Sequence, residues 1–321
     1  MSICRILFSK WYNLVMKPMK FLGIDLGWKS QPSGLCCLEW ADHQLQILDL
    51  DRQESIADIL NWVDTCVPPG ESAVIAVDAP TLIPNAIGSR LPDKLTHKHF
   101  GKYHAGCYPA NLNLPFAQRT VNFGLELESR GFAHAPTIEA QKPGRYQIEV
   151  FPHPAIVHLF SLERILKYKK GRLSDRRQEL IKLYNYIIEI LPSLNPPLRP
   201  LRLCGSLLPQ IPTTGAALKA AEDKLDSLIC AYVAAHWWYW GEQRNLVLGD
   251  RTTGYIVVPQ RVGIGDRGKE QGALGQRGRG EGRRRQARKT NNQCPMPDHR
   301  SPIPDPRSLT IYSAHKINLG S

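Results

Sequence analysis

None of the 8 cysteines stands in a CxxC arrangement, which argues against a thiolate zinc site, whose ligands come at fixed short spacings. Cys36 and Cys37 are adjacent in an apolar run, and Cys230 lies in an apolar stretch. They read as small buried hydrophobes in a reducing compartment, so a cytoplasmic location is expected. No apolar run approaches the ~20 residues that span a bilayer, so no membrane association is expected. Residues 1–18 lack a small-residue cleavage site, and Arg5 and Lys10 interrupt their apolar stretch. They do not fit a secretory leader and read as a dispensable extension ahead of Met19. Charge imbalance is also missing where a core would lie. Residues 1–260 carry 28 Lys+Arg against 24 Asp+Glu, while residues 261–321 carry 13 against 5 of the net +12. That final segment is Gly-, Arg- and Gln-rich without hydrophobic periodicity, and reads as a disordered basic tail.

What remains, residues 19–260, alternates short apolar runs with amphipathic stretches. Residues 20–27 (KFLGIDLG), 33–40 and 44–50 read as three strands joined by hairpins. Residues 54–66 have helical periodicity and stop before Pro68-Pro69-Gly70. The run AVIAV, residues 73–77, suits a strand buried on both faces. Residues 81–114 carry no assignable pattern. A helix is expected over 115–130, a strand over 145–151, and a helix from 155 to about 168. Ser174 can cap a further helix reaching Leu191. After a Pro/Leu-rich connection come a long helix over 215–240 and a small strand over 255–258. Three hairpin-joined strands, then helix, strand, helix, strand and helices, is the order of a ribonuclease H-like α/β fold. Its mixed five-stranded sheet has three antiparallel strands followed by parallel ones, flanked by helices. Competing α/β topologies open with βαβ crossovers instead.

Asp25 interrupts the apolar run Phe21–Leu26, a costly place for a carboxylate that is not paired, hydrogen-bonded or bound to metal. Asp78 ends AVIAV, where an Asx-turn is the ordinary alternative. If the two strands are adjacent and parallel, both carboxylates stand at one sheet end, and a divalent cation relieves their repulsion. Lys219, Glu222, Asp223 and Asp226 share one face of the long helix. After Asp226 no Asp, Glu, Lys or Arg occurs until Glu242, so Asp223 and Asp226 mark where the helix enters the interior. Glu149 alternates with apolar neighbours and fits a solvent-facing edge strand as well as a site. His153, between two prolines, fits a satisfied turn or an aimed imidazole. His97, His99, His104 and Cys107 fit a polar loop bordering a cleft better than a zinc site. The patch KYKKGR, with Lys167, Lys169, Lys170 and Arg172, fits phosphate contact or solvated surface.

The segments GIDLGW, AVDAP, YPAN, IEVFPHPA with downstream KYKKG, AEDKLDSLICAYVAA and GYIVVP, in this order from Phe21 to Pro259, resemble the domain of unknown function 429 (DUF429) family. That family is regarded as predicted nucleases with a ribonuclease H-like fold. The resemblance implies that Asp25, Asp78, Asp223 and Asp226 match the acidic positions with which RuvC-type resolvases hold divalent metals. Glu149 has no certain counterpart, and residues 1–18 and the tail lie outside the resemblance. The leading expectation is a metal-dependent nuclease, with two Mg²⁺ or Mn²⁺ ions on those four aspartates and nucleic acid as partner. Glu149, His153 and Lys219 are additional candidates. A non-catalytic nucleic-acid- or protein-binding module of the same fold is the alternative. An actin- or sugar-kinase-like ATPase shares the opening GIDLG, but its second Gly-rich phosphate loop does not occur before Gln260.

Because the tail holds most of the excess charge, removing residues 261–321 should flatten the salt dependence of binding to a non-specific polyanion. An unchanged slope in a titration from 50 to about 200 mM salt would place that binding on the core, near KYKKGR.

Overall fold

A computed structural model describes residues 18–27, 32–41, 44–190 and 208–261. The expected extension up to residue 17, the basic tail beyond 261, Trp28 of GIDLGW and most of the Pro/Leu-rich connection lie outside the described residues. The strands are β1 (Met19–Asp25), β2 (Ser33–Ala41), β3 (Gln44–Gln53), β4 (Ala73–Val77), β5 (Ala133–His134), β6 (Arg145–Glu149), β7 (Asn245–Asp250) and β8 (Gly254–Pro259). The helices are α1 (Ile56–Cys66), α2 (Leu91–Phe100), α3 (Ala117–Ser129), α4 (Pro152–Leu159), α5 (Leu173–Ile190) and α6 (Gly215–Trp240).

The main sheet has six strands in the order β3-β2-β1-β4-β6-β5. β1 pairs antiparallel with β2, and β2 with β3, while β4, β6 and β5 continue parallel to β1. This is an α/β fold with a mixed sheet packed against helices, consistent with the ribonuclease H-like expectation. It corrects the expected five strands to six. The extra member, β5, is two residues long, too short to leave an alternation pattern. β7 forms a separate two-stranded sheet with β8, so the small terminal strand is half of a hairpin. Residues 81–114 contain α2 and a 3₁₀ turn at Gly101–Tyr103.

The helix expected to reach residue 168 instead ends at Leu159. Ser161 takes a left-handed backbone, φ 54°, and the Leu162 N–H donates to the Val157 carbonyl at 2.9 Å. This closing turn satisfies the last carbonyls and reverses the chain.

Strand alternation divides the core between two faces. Phe21, Cys36, Leu38, Val74, Ala76 and Ile148 face a layer built from α4, α5 and α6. Leu22, Ile24, Leu35, Cys37, Ile75 and Val77 face α1 and α3. On the first face two glycines let the α6 backbone rest directly on the sheet. A Cβ on Gly23 would lie 1.9 Å from the Ser227 carbonyl oxygen, and one on Gly34 would lie 2.0 Å from that of Asp223. Asp25 pairs with Gly34 across β1 and β2, so this close approach carries the acidic stretch of α6 over the end of β1.

Gly23→Ala should therefore push α6 off the sheet. Overpacking of this kind costs typically about 1–3 kcal/mol, read as a lower urea midpoint; an unchanged midpoint would show that the helix can move without loss.

Candidate active site

Asp25 is the last residue of β1, and Asp78 follows β4 directly. The register Ile24↔Val77 sets them side by side, and the Asp78 N–H donates to the Ile24 carbonyl at 2.9 Å. Alternation turns both toward α6. The register brings the two carboxyls to one sheet end, where the Asp78 charge acts on Asp25. Protein surrounds them on most sides, yet both keep some exposure, so they form the floor of an opening rather than part of the sealed core. Burial pushes Asp25 well above the usual carboxylate range; Lys169 opposes this, and Asp226, Asp78 and Asp223 add to it. Burial likewise pushes Asp78 up to about 7, with Lys169 opposing and Asp226 adding.

Asp226, fully buried at 0% exposure, accepts from the Tyr168 hydroxyl at 2.7 Å through Oδ1. Its Oδ2 lies 2.8 Å from the Lys169 ammonium but has no aligned hydrogen-bond donor. Burial alone would push the Lys169 ammonium down, yet Asp226, Asp25 and Asp78 hold it well above its ordinary range, so it stays charged. Asp223 is turned the other way, 2.8 Å from Arg52 Nη2 on β3 and 2.7 Å from Lys219. Glu222 sits 2.7 Å from Lys219 and 3.3 Å from Arg176. Burial would lower Lys219, but Asp223 and Glu222 push it up to about 12.

The four expected aspartates thus share one end of the fold without closing into a cage. Among the described residues no three His, Cys, Asp or Glu side chains stand in a metal-holding arrangement. Lys169 and Tyr168 hold Asp226, and Arg52 and Lys219 hold Asp223. Asp25 and Asp78 remain as hard oxygen donors, the ligand type a divalent cation takes, while Asp226 Oδ2 is held by Lys169.

The family of proteins of unknown function DUF429 matches residues 23–253. The chain belongs to DUF429. No curated protein and no solved structure matches it. The other candidate residues of this DUF429 chain divide by position.

Glu149 is buried at 3% exposure rather than on a solvent-facing edge, because β6 lies between β4 and β5. Its partner across the strands is Val77, so alternation points it to the face opposite Asp25 and Asp78. There Arg90 grips it at 2.7 and 2.8 Å, and Arg90 also holds Asp93 at 2.9 Å. Burial, opposed by Arg90, pushes Glu149 up to about 7. A cavity of about 80 Å³ lined by Asp78, Arg90, Asp93, Tyr108 and Glu149 joins this ion-pair network to Asp78.

His153 opens α4 and packs its ring against Tyr168, with centroids 5.5 Å apart. Burial and then Lys169 lower it to about 4, so it is neutral, and its Nδ1 has no hydrogen-bond partner. Lys167, Lys170 and Arg172 are exposed, and the first two border a surface hollow with Arg164 and Lys182. Lys169 parts from them and turns inward. Of the histidine cluster, His97 Nε2 contacts the Cys107 carbonyl at 2.7 Å, and Cys107 lines the cavity. Sequence reasoning missed Arg52, Arg90 and Asp93, and assigned Lys169 and Tyr168 to the surface patch. Only the apolar setting of Asp226, which demands a counter-charge, pointed toward them.

The raised Asp78 pKa makes a signed prediction. The folded state binds the proton more tightly than the unfolded chain, so this contribution to stability is full below about 3.8 and lost as pH rises through about 7. Asp78→Asn, which keeps the neutral form, should gain stability relative to the native protein from pH 4 to 7, with a level difference above that. Urea midpoints at pH 5, 6, 7 and 8 check this, and a difference independent of pH contradicts the assignment.

Proposed function

We propose that this chain hydrolyses phosphodiester bonds of nucleic acid, using a divalent cation, Mg²⁺ or Mn²⁺, held by Asp25 and Asp78. The observation that carries the reading is the carboxyl pair itself: two aspartates set side by side at the ends of adjacent parallel strands, each partly open to solvent. Like charges this close keep a proton unless a cation takes its place. A bound divalent cation supplies Lewis acidity toward a phosphoryl oxygen and lowers the pKa of a coordinated water.

The chain's own residues complete the setting. Lys169 keeps a positive charge against Asp226 at the same end of the sheet. Lys167, Lys170 and Arg172 offer exposed positive charge on the adjoining segment, suited to phosphates in an electrostatic, sequence-indifferent way. The strand order and DUF429 membership support the ribonuclease H-like reading of the fold. Nucleic acid is favoured over a small phosphodiester because exposed basic residues adjoin the site: Lys170 reaches the Tyr108 hydroxyl at 3.3 Å, and Tyr108 lines the cavity with Asp78.

The test is a cleavage panel of single-stranded, duplex and branched DNA and RNA with Mg²⁺, Mn²⁺ or chelator, run beside Asp25→Asn and Asp78→Asn. Metal-dependent cleavage should be lost in both variants. Mn²⁺ at 100 times its Kd should add about 2.7 kcal/mol, a rise in melting temperature of about 5–10 °C for a domain this size, and each variant should abolish it. A native protein that neither cleaves nor responds to Mn²⁺ would leave the non-catalytic module as the better description.

A further inference from the structure

Each acidic side chain of α6 near the site has a cation of its own. Glu222 has Lys219 and Arg176, Asp223 has Arg52 and Lys219, and Asp226 has Lys169. Among the described residues, Asp25 and Asp78 make no ion pair. The fold thus neutralises three carboxylates internally and leaves two for an external charge.

We infer that Lys169 is a built-in counter-ion that limits the site to one divalent cation, its ammonium taking the place on Asp226 that a second ion would need. The inference rests on the reading of Asp25 and Asp78 as the cation pair and goes beyond it in assigning stoichiometry. Three contacts hold Lys169 in place. The neighbouring Tyr168 hydroxyl is anchored on the other Asp226 oxygen at 2.7 Å. The Tyr168 carbonyl accepts from Arg176 Nε at 3.0 Å. The Tyr168 ring packs on His153. The lysine backbone is therefore pinned on one side, and its side chain reaches the interior while keeping 30% exposure. An ammonium is a compact, strongly hydrated charge on a flexible stem. It supplies positive charge at Asp226 without needing the several oxygen ligands that a metal ion demands. Two ions on these aspartates would require Asp226 to release it.

The experiment counts Mn²⁺ per chain by isothermal titration and by electron paramagnetic resonance of free Mn²⁺, in the native protein, Lys169→Met and Lys170→Met. The native protein and Lys170→Met should bind one ion. Lys169→Met should bind two, with a larger Mn²⁺-induced rise in melting temperature, because Asp226 is freed as a ligand. The double variant Lys169→Met/Asp226→Asn removes both charges and should return the count to one. Two ions on the native protein, or one on folded Lys169→Met, overturns the inference while leaving the proposed function standing. No ion on the native protein removes both. If Lys169→Met does not fold, the native count decides alone, one supporting the inference and two overturning it.

Discussion

The backbone of α6 rests on β1 and β2 at Gly23 and Gly34, with no side chain between. Helices normally stand off a sheet by the thickness of their interlocking side chains. Here that spacing collapses, and the consequence is chemical as well as mechanical. The acidic turn of α6 comes down over the end of β1, where Asp25 faces it, and the register with β4 adds Asp78. Beyond Asp226 the helix runs on as buried Leu228, Ile229, Tyr232 and Trp237, so apolar burial on the same face holds the charged turn where it lies.

Bringing five carboxylates to one end of a sheet is unfavourable unless their charge is answered. The answers come from separate parts of the chain: Arg52 on β3, Lys169 on the segment before α5, Arg176 on α5, and Lys219 within α6. Asp25 and Asp78 make no ion pair among the described residues, and burial moves both upward. A second buried network, Arg90 with Glu149 and Asp93, lies behind them across the cavity and ties α2 to the sheet. The site is thus a solvent-facing carboxyl pair backed by ion pairs on two sides.

The DUF429 match, residues 23–253, includes β4, β6, α6 and the end of β1 that carries Asp25. A hydrolytic reading follows from the open carboxyl pair more than from the number of acidic residues. Asp223 and Asp226, counted with Asp25 and Asp78 from the sequence, are each held by a cation of the chain.

Local pattern alone was enough for much of this. The continuous run AVIAV suits a strand buried on both faces, and it is β4 to the residue. The long apolar stretch with a single polar edge is α6 over Gly215–Trp240, and Asp25 and Asp78 stood out because a carboxylate is rare in such surroundings. These features depend on neighbours within a few residues, and periodicity reports neighbours. It could not report pairing. The two-residue β5 has no period, and the turn at Ser161 that frees Tyr168 and Lys169 from helix has no Gly or Pro to mark it. The partners that give each carboxylate its state are remote in sequence. Arg52 and Asp223 are 171 residues apart, Arg90 and Glu149 are 59 apart, and Tyr168 and Asp226 are 58 apart. Sequence by itself set Asp25, Asp78 and Asp226 in apolar surroundings. Tertiary structure decided which carboxyls gain a cationic partner, because an ion pair exists only where folding brings its two members within a few ångströms.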